Sequence, residues 1–300
     1  MTRREIGNRM TIASPKELLI EATKRKYAVG AFNITNLIQM EAIFEAHEEL
    51  KAHLIIQSSV STSKFLGPEV MVAIFHALAG LADIPVALQL DHCRDLDYCK
   101  ECADSGYTGI MIDASHQKLE ENIRQTKEIV DHCQSIGRRS VEGELGTISG
   151  IESEIRVEDT QVSLCDPNCA VEFVERTGVD LLAPAIGTVH GLYKSAKPKL
   201  DFDRFERIFQ NLNGTSVKTP LVVHGSTGLT REHIRRLINL GCSKFNISTD
   251  IQRSLIDTTY DYISQHRDEY DPGKLHAVLK GAIRDKAAGW IGILGSAGKA

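Results

Sequence analysis

The 300-residue sequence predicts the α/β class, and within it a (β/α)8 barrel with an extra N-terminal helix and a C-terminal helical extension. Short apolar runs of strand length alternate with longer helical runs, and there are eight of the short ones. Several are continuously apolar, as parallel strands covered on both faces are. A doubly wound open sheet is the rival, but no GxGxxG follows the first strand run. One domain over residues 1–300 is expected, its barrel core about 28–265 and the extension about 266–300.

Taken in order, SPKELLIEATKRK (14–26) is the extra helix, and AVGAFNI (28–34) the first strand. LIQMEAIFEAHEELK (37–51) follows as a helix, then the strand HLIIQSS (53–59) and the helix PEVMVAIFHALAGLA (68–82). PVALQLDH (85–92) is the third strand and GIMIDAS (109–115) the fourth; the pattern around Cys99 and Cys102 between them is helical. EENIRQTKEIVDHCQSIG (120–137) ends on Gly137, a C-cap, and leads into RSVEGELG (139–146). DPNCAVEFVERTG (166–178) opens on Asp and Pro, as helices do, and precedes DLLAPAIG (180–187). PLVVHGST (220–227), the helix TREHIRRLINLG (230–241) and KFNISTD (244–250) complete the set.

A net charge of −5 gives no reason to expect nucleic acid or an anionic membrane as partner. MTRREIGNRM lacks the apolar centre of a secretory signal, and the seven scattered cysteines read as reduced thiols of a cytoplasmic protein. Cys99 and Cys102 form a lone CxxC and Cys93 adjoins a histidine; for all three, packing is favoured over metal.

Active sites of such barrels lie at the C-terminal ends of the strands. Polar groups crowd that end here: Asn33, Ser58, Ser59, Asp91, His92, Asp113, Ser115, Glu142 and Glu144, then His190, His224 and Asn246. Three of the eleven histidines, His92, His190 and His224, stand at these mouths. One histidine at a strand end is usually just hydrogen-bonded. Three on different strand ends favour a catalytic Zn2+ with one open position. His47, His76, His132, His233 and His266 read as structural, and His116 as near the mouth only. HGSTG (224–228) and NISTD (246–250) read either as ordinary glycine-rich turns or as the phosphate corner found at this place in barrels, and the place favours phosphate. Asp91 beside His92 is left for proton transfer, provided that a kink at the strand end brings both to the mouth.

AFNITN (31–36), VALQLDH (86–92), MIDASH (111–116), VEGELGTISG (141–150), APAIGTVHGLYK (183–194), PLVVHGSTGL (220–229), NISTD (246–250) and GSAGKA (295–300) resemble the class II, metal-dependent ketose-bisphosphate aldolases. The resemblance implies a zinc enzyme splitting fructose or tagatose bisphosphate into dihydroxyacetone phosphate and an aldehyde. It implies His92, His190 and His224 as ligands, Asp91 as acid–base residue and Glu152 as loop base. It places Asn33, Ser59, Gly191, Lys194, Gly225, Ser226, Thr227, Asn246, Ser248, Thr249 and Arg253 on the substrate. Asp113 and Glu144 match a second metal in some members, and a monovalent cation, Na+ or K+, belongs near the phosphate. A homodimer or homotetramer is implied. Six positions depart from the family pattern: Gln89 for histidine, Ser226 for glycine, Ile151 and Ser153 for polar and acidic neighbours of the loop glutamate, Gln252 for a cation serving the distal phosphate, and Gly273 for arginine. Gln252 and Gly273 keep open an aldolase of the same mechanism for a different phosphorylated sugar or sugar acid lacking the distal phosphate. A non-catalytic sugar-phosphate-binding subunit is the third reading.

Overall fold

A computed structural model describes residues 11–137, 139–152, 155–157, 163–191, 199–215 and 218–300; the side chains of 149, 151, 152 and 155–157 lie outside the description. The strands are β1 (Val29–Asn33), β2 (Leu54–Ser59), β3 (Val86–Cys93), β4 (Gly109–Ile112), β5 (Ser140–Leu145), β6 (Ser149–Glu152), β7 (Ile155–Val157), β8 (Leu181–Pro184), β9 (Val189–His190), β10 (Leu221–Val223) and β11 (Cys242–Ile247). Eight of them close a barrel in the order β1-β11-β10-β8-β5-β4-β3-β2, every pairing parallel. The other three form a small sheet, β7-β6-β9, built from the segments that leave β5 and β8.

The helices are α1 (Pro15–Arg25), α2 (Leu37–Leu50), α3 (Val60–Leu66), α4 (Pro68–Ala79), α5 (Leu96–Ser105), α6 (Leu119–Ile136), α7 (Pro167–Thr177), α8 (Phe202–Asn213), α9 (Arg231–Asn239), α10 (Thr249–Gln265) and α11 (Pro272–Leu294). Local chemistry sets their ends. Ser14 and Glu17 form a reciprocal capping box with Pro15 in the first turn of α1. Asp166 caps α7 and left-handed Gly178 ends it. α11, the expected extension, packs back on α2 and α10.

Four strands stop three or more residues short of their expected runs. The fourth stops at Ile112, the sixth at Pro184, the seventh at Val223 and the eighth at Ile247. Beyond each point the backbone serves the mouth. Asp113 Oδ1 accepts from Ser115 N at 3.2 Å and Oγ at 2.6 Å. Gly225 turns with φ +66°, and Ser248 is the N-cap of α10.

Side chains alternate between the faces of each strand, so the barrel has two apolar layers. The larger lies between sheet and helices and includes Phe32, Leu88, Phe173 and Phe245. The smaller fills the barrel's N-terminal end, where Leu18, Leu19 and Ala22 of α1 meet Val29, Ile55, Ala87, Leu181 and Val222. Helix α1 thus plugs the end opposite the mouths.

Buried His47 of α2 pairs its Nδ1 with Ile43 O at 2.8 Å and stands edge-on to Phe32, ring centroids 5.1 Å apart. Burial lowers its pKa to about 4. The unfolded chain therefore takes up this proton near pH 6.5 while the fold refuses it until about 4. Stability from this group is complete above pH 6.5 and falls by about 3 kcal/mol on the way down to 4. Urea unfolding across that range should show this loss in the wild type and its absence in His47→Gln.

Candidate metal centre and active site

Above the apolar plug the barrel interior turns polar. Gln57, Gln89, Glu142 and Lys244 are all fully buried. Lys244 Nζ donates to Glu142 Oε2 at 2.7 Å, and Gln89 Nε2 donates to the same oxygen at 2.8 Å. β11 and β5 are not neighbours, so the Lys244–Glu142 pair crosses the barrel. Burial raises the Glu142 pKa, but the Lys244 charge and the bonds from His224 and Lys244 hold its carboxyl well below the usual carboxylate range.

The three histidines rest on this layer. His224 Nε2 meets Glu142 Oε1 at 2.8 Å, which assigns the proton to Nε2 and turns the Nδ1 lone pair away from the carboxylate. His92 presents Nε2 to that Nδ1 at 2.8 Å. Its Nδ1 faces Asp113 Oδ2 at 3.7 Å and Glu144 Oε2 at 3.8 Å. His190 completes the cluster, with ring centroids 4.9 Å from His92 and 5.8 Å from His224. One nitrogen of each ring lies within 4.8 Å of the others, and all three are buried.

Backbone irregularity makes this arrangement. His92 has φ +47°, the left-handed region, and sits inside a strand, whereas Lys26 and Lys51, the other described non-glycine residues with positive φ, are helix C-caps. The β3–β4 register also shifts between Leu90 and Cys93. The kink lets adjacent Asp91 and His92 both reach the mouth, and strain of this kind gathers at functional sites. Glycines supply the rest. A Cβ on Gly150 would strike His190 backbone atoms, where β6 pairs with β9. A Cβ on Gly225 would strike Val189 O, so the turn after His224 can pack on the strand carrying His190.

Asp91, 1% exposed, is held by three amides from three strands. Asn33 Nδ2 donates to Oδ2 at 2.8 Å; Gln57 Nε2 at 3.2 Å and Asn246 Nδ2 at 3.0 Å donate to Oδ1. Asn246 Nδ2 is also 3.3 Å from His224 Nδ1, so the carboxylate lies beside the imidazoles. Asp113 and Glu144 stand behind His92 rather than in the cluster. Burial raises the Asp113 pKa, but His92, Arg94 and Ser115 bring it below its usual range; burial and the Asp113 charge push Glu144 well above. Ser226 donates to Asn246 O and ties the turn after His224 to β11. Buried Thr227 follows it. Asn33, Ser59, Ser248, Thr249 and Arg253 border one cavity. Gly191, φ +82°, follows His190. Lys194 and the Glu152 side chain lie outside the described residues. Cys93 points its thiol to Asp95 O at 3.2 Å, and the CxxC cysteines are buried within α5, so packing accounts for all three. His116 is exposed and pairs with Gln117.

The expected site list lacks Gln57 and Lys244, and it names Glu142 only as a polar group at a strand end, with no role. A signal for two of them was present: Glu142 precedes Glu144 by two residues and Lys244 precedes Asn246 by two, on the same face of otherwise apolar strands.

The model of the class II fructose-bisphosphate aldolase family matches residues 13–299. The chain belongs to this family. It is therefore a carbon–carbon lyase of the metal-dependent aldolase class. It is 40% identical over 296 residues to the fructose-bisphosphate aldolase of Geobacillus stearothermophilus, covering 97% of this chain and 99% of that one. With the fructose-bisphosphate aldolase of Staphylococcus aureus strain Mu50 it shares 38% identity, covering 97% and 100%. The crystal structure of the YdjI aldolase from Escherichia coli K12 superposes with a TM-score of 0.83 at 32% identity, covering 96% and 99%. The class II aldolase barrel here thus combines an imidazole cluster, a carboxylate on amides and a buried ion pair beneath both.

Removing one partner of a buried pair leaves the other charge uncompensated. Lys244→Met should lower stability by about 3–5 kcal/mol in denaturant titration, and adding Glu142→Gln should restore the greater part. A single-variant loss under about 1 kcal/mol would show that the pair does not support the interior.

Proposed function

We propose that this aldolase reversibly splits a ketose 1-phosphate between C3 and C4 into dihydroxyacetone phosphate and an aldehyde. Fructose 1,6-bisphosphate, named for the curated relatives, is the first substrate to test; it yields glyceraldehyde 3-phosphate. Tagatose 1,6-bisphosphate is the second. The observation that carries the reading is the Asp91 carboxylate, held on three amides beside three imidazoles.

Those imidazoles fit a divalent cation. Glu142 fixes the His224 lone pair at Nδ1, and the carboxylates behind His92 favour one at its Nε2. Two lone pairs 2.8 Å apart repel unless positive charge lies beside them. Zn2+ suits three imidazoles with an open position, and when bound it polarises the ketose carbonyl and offsets the charge that develops on its oxygen.

The other tasks fall to the chain. Asp91 takes the proton of the C4 hydroxyl as the C3–C4 bond breaks, so the C4 oxygen becomes the aldehyde oxygen. The bonding pair flows toward C2. Glu152 then delivers a proton to C3, completing dihydroxyacetone phosphate. The near phosphate is assigned to Gly191, Lys194, Gly225, Ser226, Thr227, Asn246, Ser248 and Thr249, with Na+ or K+ at the same corner. The α10 N-terminus and the pinned turn after His224 support that placement. Asp113 and Glu144 are assigned to orienting His92. Arg94, 3.2 Å from Asp113, weighs against a second divalent ion there.

A homodimer or homotetramer is proposed on the exposed stripe Ile256, Tyr260 and Ile263 of α10, with Tyr270 beyond it. A cytoplasmic setting is proposed on the seven unpaired cysteines. No helix among the described residues is long and apolar enough to cross a membrane.

Chelation should abolish release of dihydroxyacetone phosphate and Zn2+ restore it, with no covalent trapping by borohydride. His190→Ala should lose bound metal. Asp91→Asn should keep the metal while turnover falls about 10²–10⁴-fold. Near-normal turnover in that variant would remove Asp91 from the acid–base role.

A further inference from the structure

The start of α10 closes the corner assigned to the near phosphate, so every charge in that turn bears on phosphate binding. The first amides of a helix have no intrahelical partner, and the helix dipole adds positive charge there. Ser248 holds the N-cap position, yet its side chain bonds none of these amides, which leaves them to an arriving anion. Asp250, the second residue of α10, is the obstacle. An aspartate in a first turn is drawn to the same positive end, where it competes with a phosphate dianion and repels it.

Asp250 is drawn the other way. Its Oδ2 accepts from Trp290 Nε1 at 3.0 Å and lies 3.9 Å from Lys286 Nζ. Both partners belong to α11 and stand four residues apart, so they share one face of that helix. Trp290 is 4% exposed and packs in the main apolar core with Ile283, Ala287 and Ile291. A buried indole N–H calls for an acceptor, and its ring cannot swing away to find another. The Lys286 side chain is half-exposed, so it offsets charge more than it fixes direction. Gly228 and Leu229, which end the turn after His224, border the same cavity of about 510 Å³ as Asp250, Lys286 and Trp290. Both segments of the phosphate corner therefore have α11 behind them.

We propose that Trp290 is a positioning residue for phosphate: it holds Asp250 outward, with Lys286 beside it, and so keeps the carboxylate off the first amides of α10. The proposal rests on the phosphate corner of the aldolase reading above.

The test is calorimetric titration of the Zn2+-loaded protein with inorganic phosphate. Trp290→Phe removes the donor and keeps an aromatic ring, and it should weaken phosphate about tenfold, the scale of a charge-assisted hydrogen bond. Asp250→Asn should bind at least as tightly as the wild type. The double variant should return to within about threefold of the wild type, because the carboxylate that does the harm is gone. If the indole served packing alone, the double variant would stay as weak as the single one. That result overturns the proposal, and so does a loss under about threefold in Trp290→Phe. Should Trp290→Phe not fold, Lys286→Ala at the exposed end carries the same cycle. It should weaken phosphate beside Asp250 and not beside Asp250→Asn, and an equal effect in both backgrounds overturns the proposal. Failure of the wild type to release dihydroxyacetone phosphate from either bisphosphate strikes the aldolase reading, whereas the binding cycle judges Trp290 without turnover.

Discussion

The site depends on one ion pair buried across the barrel. Lys244 keeps Glu142 ionised in a place where water cannot, and ionised Glu142 is what fixes the tautomer of His224. Without that carboxylate the imidazole has no reason to present Nδ1 to the cluster. Buried pairs seldom add net stability over apolar residues of the same size. This one therefore makes more sense as orientation than as cohesion. The apolar plug from α1 carries the cohesion at the opposite end, which frees the interior above it for polar contacts.

The second constraint is the backbone at His92. A regular strand sends consecutive side chains to opposite faces, so it cannot deliver a carboxylate and an imidazole to one pocket. The left-handed residue and the register shift in β3 remove that restriction. The cost is local strain, and the surroundings hold it in place. Asp91 is gripped by three amides and His92 by its imidazole and carboxylate neighbours, so neither can swing back. Strain and hydrogen bonding are two halves of one device.

Much of this was legible in the sequence, and the gaps have physical causes. Continuous apolar runs located all eight barrel strands, because parallel strands are buried on both faces. Their C-terminal limits were overestimated where Asp113, Gly225 and Ser248 divert the backbone into turns and caps; propensity reads such residues as strand ends only loosely. The mouth residues were legible because polar groups ending apolar strands have no structural purpose. Gln57 and Lys244 escaped the site list, and Glu142 was named without a role, because the three lie one layer beneath His224 and Asp91. Their partners come from strands far apart in sequence, and pairings of that kind follow from closure of the barrel rather than from any local pattern.

The deeper layer also decides between an enzyme and a sugar-phosphate-binding subunit of the same fold. Binding a phosphate needs amide donors and a helix N-terminus, for which the proposed corner after β10 and β11 and the start of α10 would need no help from the opposite wall. It does not need a nearly inaccessible carboxylate gripped by Asn33, Gln57 and Asn246 next to an imidazole cluster. Burying that anion is costly, and its field raises the demands on every neighbouring group. Such an expense is intelligible when a proton must move at that point and a cation must sit beside it. The two requirements meet only in chemistry, and the barrel devotes three strands to satisfying them.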